Sequence, residues 1–250
     1  MAFFWPFVRI TAFMTATPLW GHSSIPNQAK VALAAVIAVV IAPVLPPMPS
    51  VPLMSWAGLG IIIEQMLIGI AIGLVMHIMF AVVQAAGEFI GLQMGLAFAS
   101  FFDMSSGTNI MVLSRILYMV TLLMFLAFNG HLMVLETLVM SFETLPIGIG
   151  SLNPNAFELL ARYAGTIFAS GMLLALPLVA SLLIINLALG ILNRSAPQLT
   201  VFNIGFPTSL TVGIVLLMVL MSDIGSFLQQ LFSQGISFTQ SLIETMAPLN

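Results

Sequence analysis

Between Trp56 and Val83 the chain carries one formally charged side chain, Glu64. A backbone removed from water must satisfy its own amides and carbonyls, and for a run of about 20 apolar residues the solution is a helix crossing about 30 Å of hydrocarbon. Runs of this kind lie approximately at residues 2–20, 29–45, 55–83, 85–102, 110–141, 160–192 and 200–222. Turn-forming clusters separate them, among them HSSIPNQ at 22–28, PPMPSVP at 46–52, LPIGIGSLNPN at 145–155 and NRSAPQ at 193–198. The segment 223–250 is more polar and amphipathic, suited to lying along a surface or packing on a partner. With 60% hydrophobic residues, 5% charged and a mean hydropathy of +1.17, the chain lacks the polar shell of a soluble domain, in which about a quarter of residues are charged. The expectation is an all-α integral membrane protein, a single polytopic domain over 1–250 with about six to eight hydrophobic helices. The runs 29–45 (short) and 55–83 and 160–192 (long) do not fit one standard span, and Pro177 lies within the last, so broken helices or bent hairpins are expected there.

The scarce polar residues exclude several function classes. A net charge of -3 with five dispersed basic residues, Arg9, Lys30, Arg115, Arg162 and Arg194, leaves no patch for a nucleic acid and decides no membrane orientation. Cysteine is absent, so disulfides and thiolate metal sites are excluded. Arg9 sits inside the first apolar run rather than ahead of it, which reads as a retained segment and not a cleaved leader. His22, His77 and His131 have no metal-ligand spacing, and Ser170-Gly171 lacks the upstream glycine of a nucleophile motif, with Phe168 in its place. No phosphate-binding glycine loop occurs either, so no catalytic residue, metal or cofactor is expected.

An ionised acid at a helix centre costs on the order of 3 kcal/mol, so such residues tend to face protein or water. Glu143, Glu158, Asp223 and Glu244 flank loop signals and fit helix ends, whereas Glu64 and Glu88 have apolar sequence on both sides. At 100° per residue Gly87, Gly91 and Gly95 fall on one stripe, with Gln84 and Glu88 within it or beside it. Small residues at this spacing let another helix approach closely, and Gln84 and Glu88 can hydrogen-bond across such a contact. Gly69 and Gly73 form a second, weaker pair of the same kind.

The segments GEFIGLQMGLAFASFFD, SSGTN, LSRI, FNGHL, TLPIG and above all NLALGILNRSAPQLTVFNIGFP, residues 186–207, resemble the R-class subunits of the bacterial flagellar export gate, the FliR/SctT family, over essentially the whole chain. The resemblance implies no enzyme and no cofactor but a core subunit of a type III protein-export channel, assembled with FliP-class and FliQ-class subunits into a helical, cone-like pore complex. A FlhB-class switch protein would surround its entrance, unfolded flagellar proteins would pass through it, and its place would be the bacterial inner (cytoplasmic) membrane at the flagellar basal body. It further implies that the loop 99–110 points into the pore as a plug, carried by Phe101, Phe102, Asp103, Met104, Ser105, Ser106 and Gly107, with Met104 where the family usually has proline. Bulky aromatics and a flexible methionine can fill a narrow pore, and the small residues let the backbone rearrange. The motif turn Asn193, Arg194, Pro197 and Gln198 reads first as a capped helix end, Arg194 favouring the negative end of the helix dipole. Two alternatives are a T-class subunit of a virulence type III secretion system and a small-solute secondary transporter using Glu64, Glu88 and Arg115. The second would be expected to show an internal repeat, and none is visible.

Overall fold

The computed structural model describes residues 3–46, 48–96, 112–148, 150, 152–195 and 204–248. Among them every regular element is a helix: α1 Phe4–Ala16, α2 Asn27–Ile41, α3 Trp56–Gln93, α4 Val112–Ala127, α5 Gly130–Thr144, α6 Asn155–Tyr163, α7 Thr166–Ser195 and α8 Phe206–Met246. The parts of α3, α6–α7 and α8 are long and apolar enough to cross a membrane, and the pair α4 and α5 would make a fourth such element, bent by 68°.

The run 160–192 is divided as expected, between α6 and α7 at residues 164–165, but other breaks fall elsewhere than expected. The run 55–83 does not end at Gln84: α3 continues through Gln84 and Glu88 for 38 residues. Both are good helix formers whose side chains are half-buried and exposed respectively, so neither forces a stop. Pro177 lies inside an uninterrupted α7 on an exposed position, and Ser181 Oγ donates to its carbonyl at 2.7 Å. The bend instead divides the run 110–141 at Phe128-Asn129, where Asn129 takes φ 56° and Gly130 packs directly against the Phe125 ring. Asparagine tolerates that left-handed conformation, and the glycine after it admits an aromatic ring where a Cβ would collide. Residues 223–246 form the C-terminal part of α8, continuous with 206–222. Its buried positions Ile224, Leu228, Leu231 with Phe232, Ile236, Thr239, Leu242 with Ile243, and Met246 recur at three- and four-residue steps, the amphipathic pattern of one apolar face.

Two compact units divide the chain: residues 1–79, 125–165 and 231–250, and residues 80–124 and 166–230. In the first unit α1 lies directly on α3. A Cβ at Gly69 would touch the Arg9 carbonyl and stand 2.9 Å from Ala12 Cβ, and one at Gly73 would stand 2.5 Å from Ala16 Cβ. The Gly69–Gly73 pair is therefore a packing seam within the chain, and Trp5, Ile10, Phe13 and Met14 of α1 are buried beside it. Phe125 meets Phe232 edge to face at 5.1 Å, Tyr163 stacks on Phe238 at 3.7 Å, and Met79 covers Gly235. The second unit is knit the same way, by glycines under larger neighbours: Gly171 on Val82 and Ala85, Gly213 on Met94, and Gly225 on Met124.

Candidate functional site

The glycine-faced half of α3 belongs to the second unit, and the structure shows what its stripe touches within the chain. A Cβ added at Gly87 would stand 2.5 Å from Ser114 Cα, so α3 and α4 meet there backbone to backbone. Ser114 is buried, and its hydroxyl donates to the Gln84 carbonyl at 2.9 Å, pinning the contact. Gly91 is buried, Gln84 half-buried and Glu88 exposed. Gly95 stands outside the helix. At φ 83° it follows Met94, its amide donates to Leu92 at 3.1 Å and the Leu96 amide to Gly91 at 2.9 Å, which satisfies the last carbonyls of α3 in a Schellman turn. The stripe thus has two jobs inside the chain: a close helix contact at Gly87 and a helix stop at Gly95.

That stop fixes where α3 ends. The plug residues Phe101, Phe102, Asp103, Met104, Ser105, Ser106 and Gly107 lie outside the described residues, as do Pro197 and Gln198 of the motif turn. The described part of the turn closes α7, with Asn193 half-buried and Arg194 exposed in its last turn, where a cation favours the helix dipole. Before it, Asn186 of α7 accepts a hydrogen bond at 2.7 Å from Ser209 of α8. This side-chain bond ties together the two helices that flank the motif.

One heavily bonded polar group was not marked as a site in the sequence. Arg9 is fully buried in the first unit. Its Nε donates to Gln65 Oε1 at 2.8 Å, Nη1 to the Ser141 carbonyl at 2.9 Å and hydroxyl at 3.1 Å, and Nη2 to the Leu145 carbonyl at 2.8 Å, while the guanidinium lies 4.0 Å over the Phe142 ring. A planar fork of donors can join α1, α3 and the C-terminal end of α5 in this way; an ammonium cannot. The signal that could have found it is the placement of a cation within an apolar run, where any charge needs partners. Next to Gln65 in sequence, Glu64 is half-buried and lines a cleft together with Gly148, Gly150 and Leu152.

Among the described residues, the three histidines and the Arg162–Glu158 pair form no common cluster. His22 accepts from the Ser24 amide at 3.2 Å, His77 is exposed, and His131 Nδ1 is buried without a hydrogen-bond partner. No group of three potential metal ligands occurs among the described residues. Arg162 pairs with Glu158 on the exposed side of α6. What the molecule offers is apolar surface. The most apolar stretch of α3 is 67% buried within the chain, but that of α6–α7 is 22% and that of α8 11%.

Comparison with known proteins assigns this architecture. The sequence profile described as "Bacterial export proteins, family 1" matches residues 1–235. The chain is 48% identical over 244 residues, 98% of its length and 93% of the relative's, to the flagellar biosynthetic protein FliR of Escherichia coli (strain K12). It is 48% identical over 232 residues (93% and 88%) to that of Pectobacterium carotovorum subsp. carotovorum, and 32% over 247 residues (97% and 94%) to that of Bacillus subtilis (strain 168). Matching nearly end to end with relatives that share this name, the chain belongs to the bacterial export proteins, family 1, and within it to the FliR flagellar biosynthetic proteins.

Proposed function

We propose that the chain is the R-class core subunit of the flagellar type III export gate, working in the bacterial inner membrane at the flagellar basal body as part of an assembled channel. The observation that carries the reading is the 48% identity over 98% of the chain to a flagellar biosynthetic protein. The bare helices agree with it, since long apolar faces that the chain leaves uncovered need lipid or neighbouring subunits over them. FliP-class and FliQ-class subunits and a FlhB-class switch protein are the neighbours this reading requires, and unfolded flagellar proteins the cargo. The family is named for export, and the reading assigns no chemistry to the chain itself.

In this reading α3 and α4 form a rigid frame, locked at Gly87–Ser114 and stopped at Gly95, from which the segment holding Phe101 to Gly107 serves as the pore plug. Expression in an Escherichia coli strain lacking its 48%-identical relative tests the assignment. Restored swimming, together with recovery of the chain in one detergent-stable complex with P- and Q-class subunits, is expected. A stable monomer that ignores those subunits and leaves the strain non-motile would defeat the reading and favour a solute transporter.

A further inference from the structure

In the first unit, Glu64, Gln65 and Ile68 of α3, with Leu145, Pro146, Gly148, Gly150, Leu152 and Pro248, line a cavity of about 170 Å³. Ile68, Leu145, Pro146 and Leu152 give it hydrocarbon walls, and Glu64 supplies its carboxylate. An ionised carboxylate offers about four acceptor positions, and no cationic side chain stands among the described residues that line the cavity. On the same helix Leu59, Ile63, Met66 and Leu67 are exposed, so the acid opens within an apolar belt. Once lipid or protein covers that belt, water leaves, and a carboxylate without a counter-charge is strongly penalised.

The chain's own cations in this unit are committed elsewhere. Arg9 lies behind the cavity wall, its donors held by Gln65, Ser141 and Leu145. Lys30 donates to the Gly21 carbonyl, and Arg162 pairs with Glu158. Arg115 and Arg194 belong to the second unit. With a net charge of -3 and five basic residues, the chain is poor in the partner this acid requires.

We propose that this cleft receives one basic side chain, Lys or Arg, from a neighbouring subunit of the export complex, an assignment that rests on the export-gate reading above. Such a side chain matches both features of the cleft: its methylene stem covers hydrocarbon walls, and its head forms charge-assisted hydrogen bonds to the carboxylate. A lipid tail would fill the walls and leave Glu64 unpaired.

A photo-reactive residue at Leu152, in the chain co-expressed with its P-, Q- and switch-class partners, tests this. The expected product is a crosslink, mapped by mass spectrometry, to a peptide of one partner with Lys or Arg at the reacted position or beside it. Glu64→Gln should reduce that crosslink roughly tenfold or more, the worth of a hydrogen bond to a charged group, while the purified chain stays monodisperse. Glu64→Lys should abolish it, and Glu at the mapped basic position should then restore it. A crosslink to lipid or to a second copy of this chain, or a yield indifferent to Glu64→Gln, would overturn the proposal while co-purification of the wild-type complex still stands. Failure of the wild-type chain to co-purify at all would remove the export reading, and the cleft's assignment with it.

Discussion

The fully buried Arg9 ties distant parts of the first unit together. Arg9 bonds to residues 56, 132 and 136 positions away in sequence, each through a different donor nitrogen. Truncation would leave Gln65 Oε1 and the Leu145 carbonyl without this donor, and an orphaned buried polar group costs about 1–3 kcal/mol. Arg9→Ala should therefore lower stability by roughly 2–5 kcal/mol, read as a fall in the melting temperature of the detergent-purified protein. Arg9→Lys should recover less than half of that loss, because one compact ammonium cannot reach Gln65, Ser141 and Leu145 at once. Equal melting of the lysine variant and the wild type would show that charge, and not the donor fork, is what the fold uses. Asn129 makes a complementary case in the backbone. Gly at its φ of 56° should be tolerated, whereas Asn129→Val should cost about 1–2 kcal/mol and loosen the turn between α4 and α5.

At the scale of elements, the glycine helix gives the sharpest contrast. Gly87 and Gly95 look equivalent on a helical projection, yet one is wedged against Ser114 and the other terminates α3 at φ 83°. Gly87→Leu should force α3 and α4 apart and cost about 1–3 kcal/mol, lowering the yield of folded protein. Gly95→Ala should leave that contact intact and cost about 1 kcal/mol through backbone strain, a smaller loss of thermal stability that separates the two roles. Helix type and the major apolar runs were legible because hydropathy is a collective signal, averaged over many residues. Boundaries were less so. Gln84 separated two apolar runs but is accommodated half-buried within one helix, Pro177 suggested a kink but sits on an outer position, and Asn129-Gly130, a strong turn pair, lay inside what read as one run. Arg9 could not be resolved as a hub, since no local pattern reports contacts more than fifty residues distant. The small-residue seam of Gly69 and Gly73 was visible in sequence, but its partner α1 was not.

For the whole molecule, helix length and exposure pull in one direction. At 1.5 Å per residue, α3 would extend ~57 Å and α8 ~62 Å, about twice the hydrocarbon thickness of a bilayer. Helices this long cannot lie upright in lipid over their whole length, yet α7 and the first half of α8 carry Leu183, Ile184, Leu187, Val215, Met218 and Val219 more than half exposed. Lipid can cover part of that surface; protein must cover what projects beyond it. The chain has no cysteine, so a single substitution at Ile184, Val215 or Val219 introduces a unique label. In the detergent-purified chain alone, a small maleimide should modify each of these positions. After co-assembly with P- and Q-class subunits, at least one position on each helix should become severalfold slower to react, while a cysteine at exposed Glu158 keeps its rate. Unchanged reactivity along both helices in an assembled complex would mean that these faces meet lipid alone, and that the contacts joining the subunits run through other surfaces.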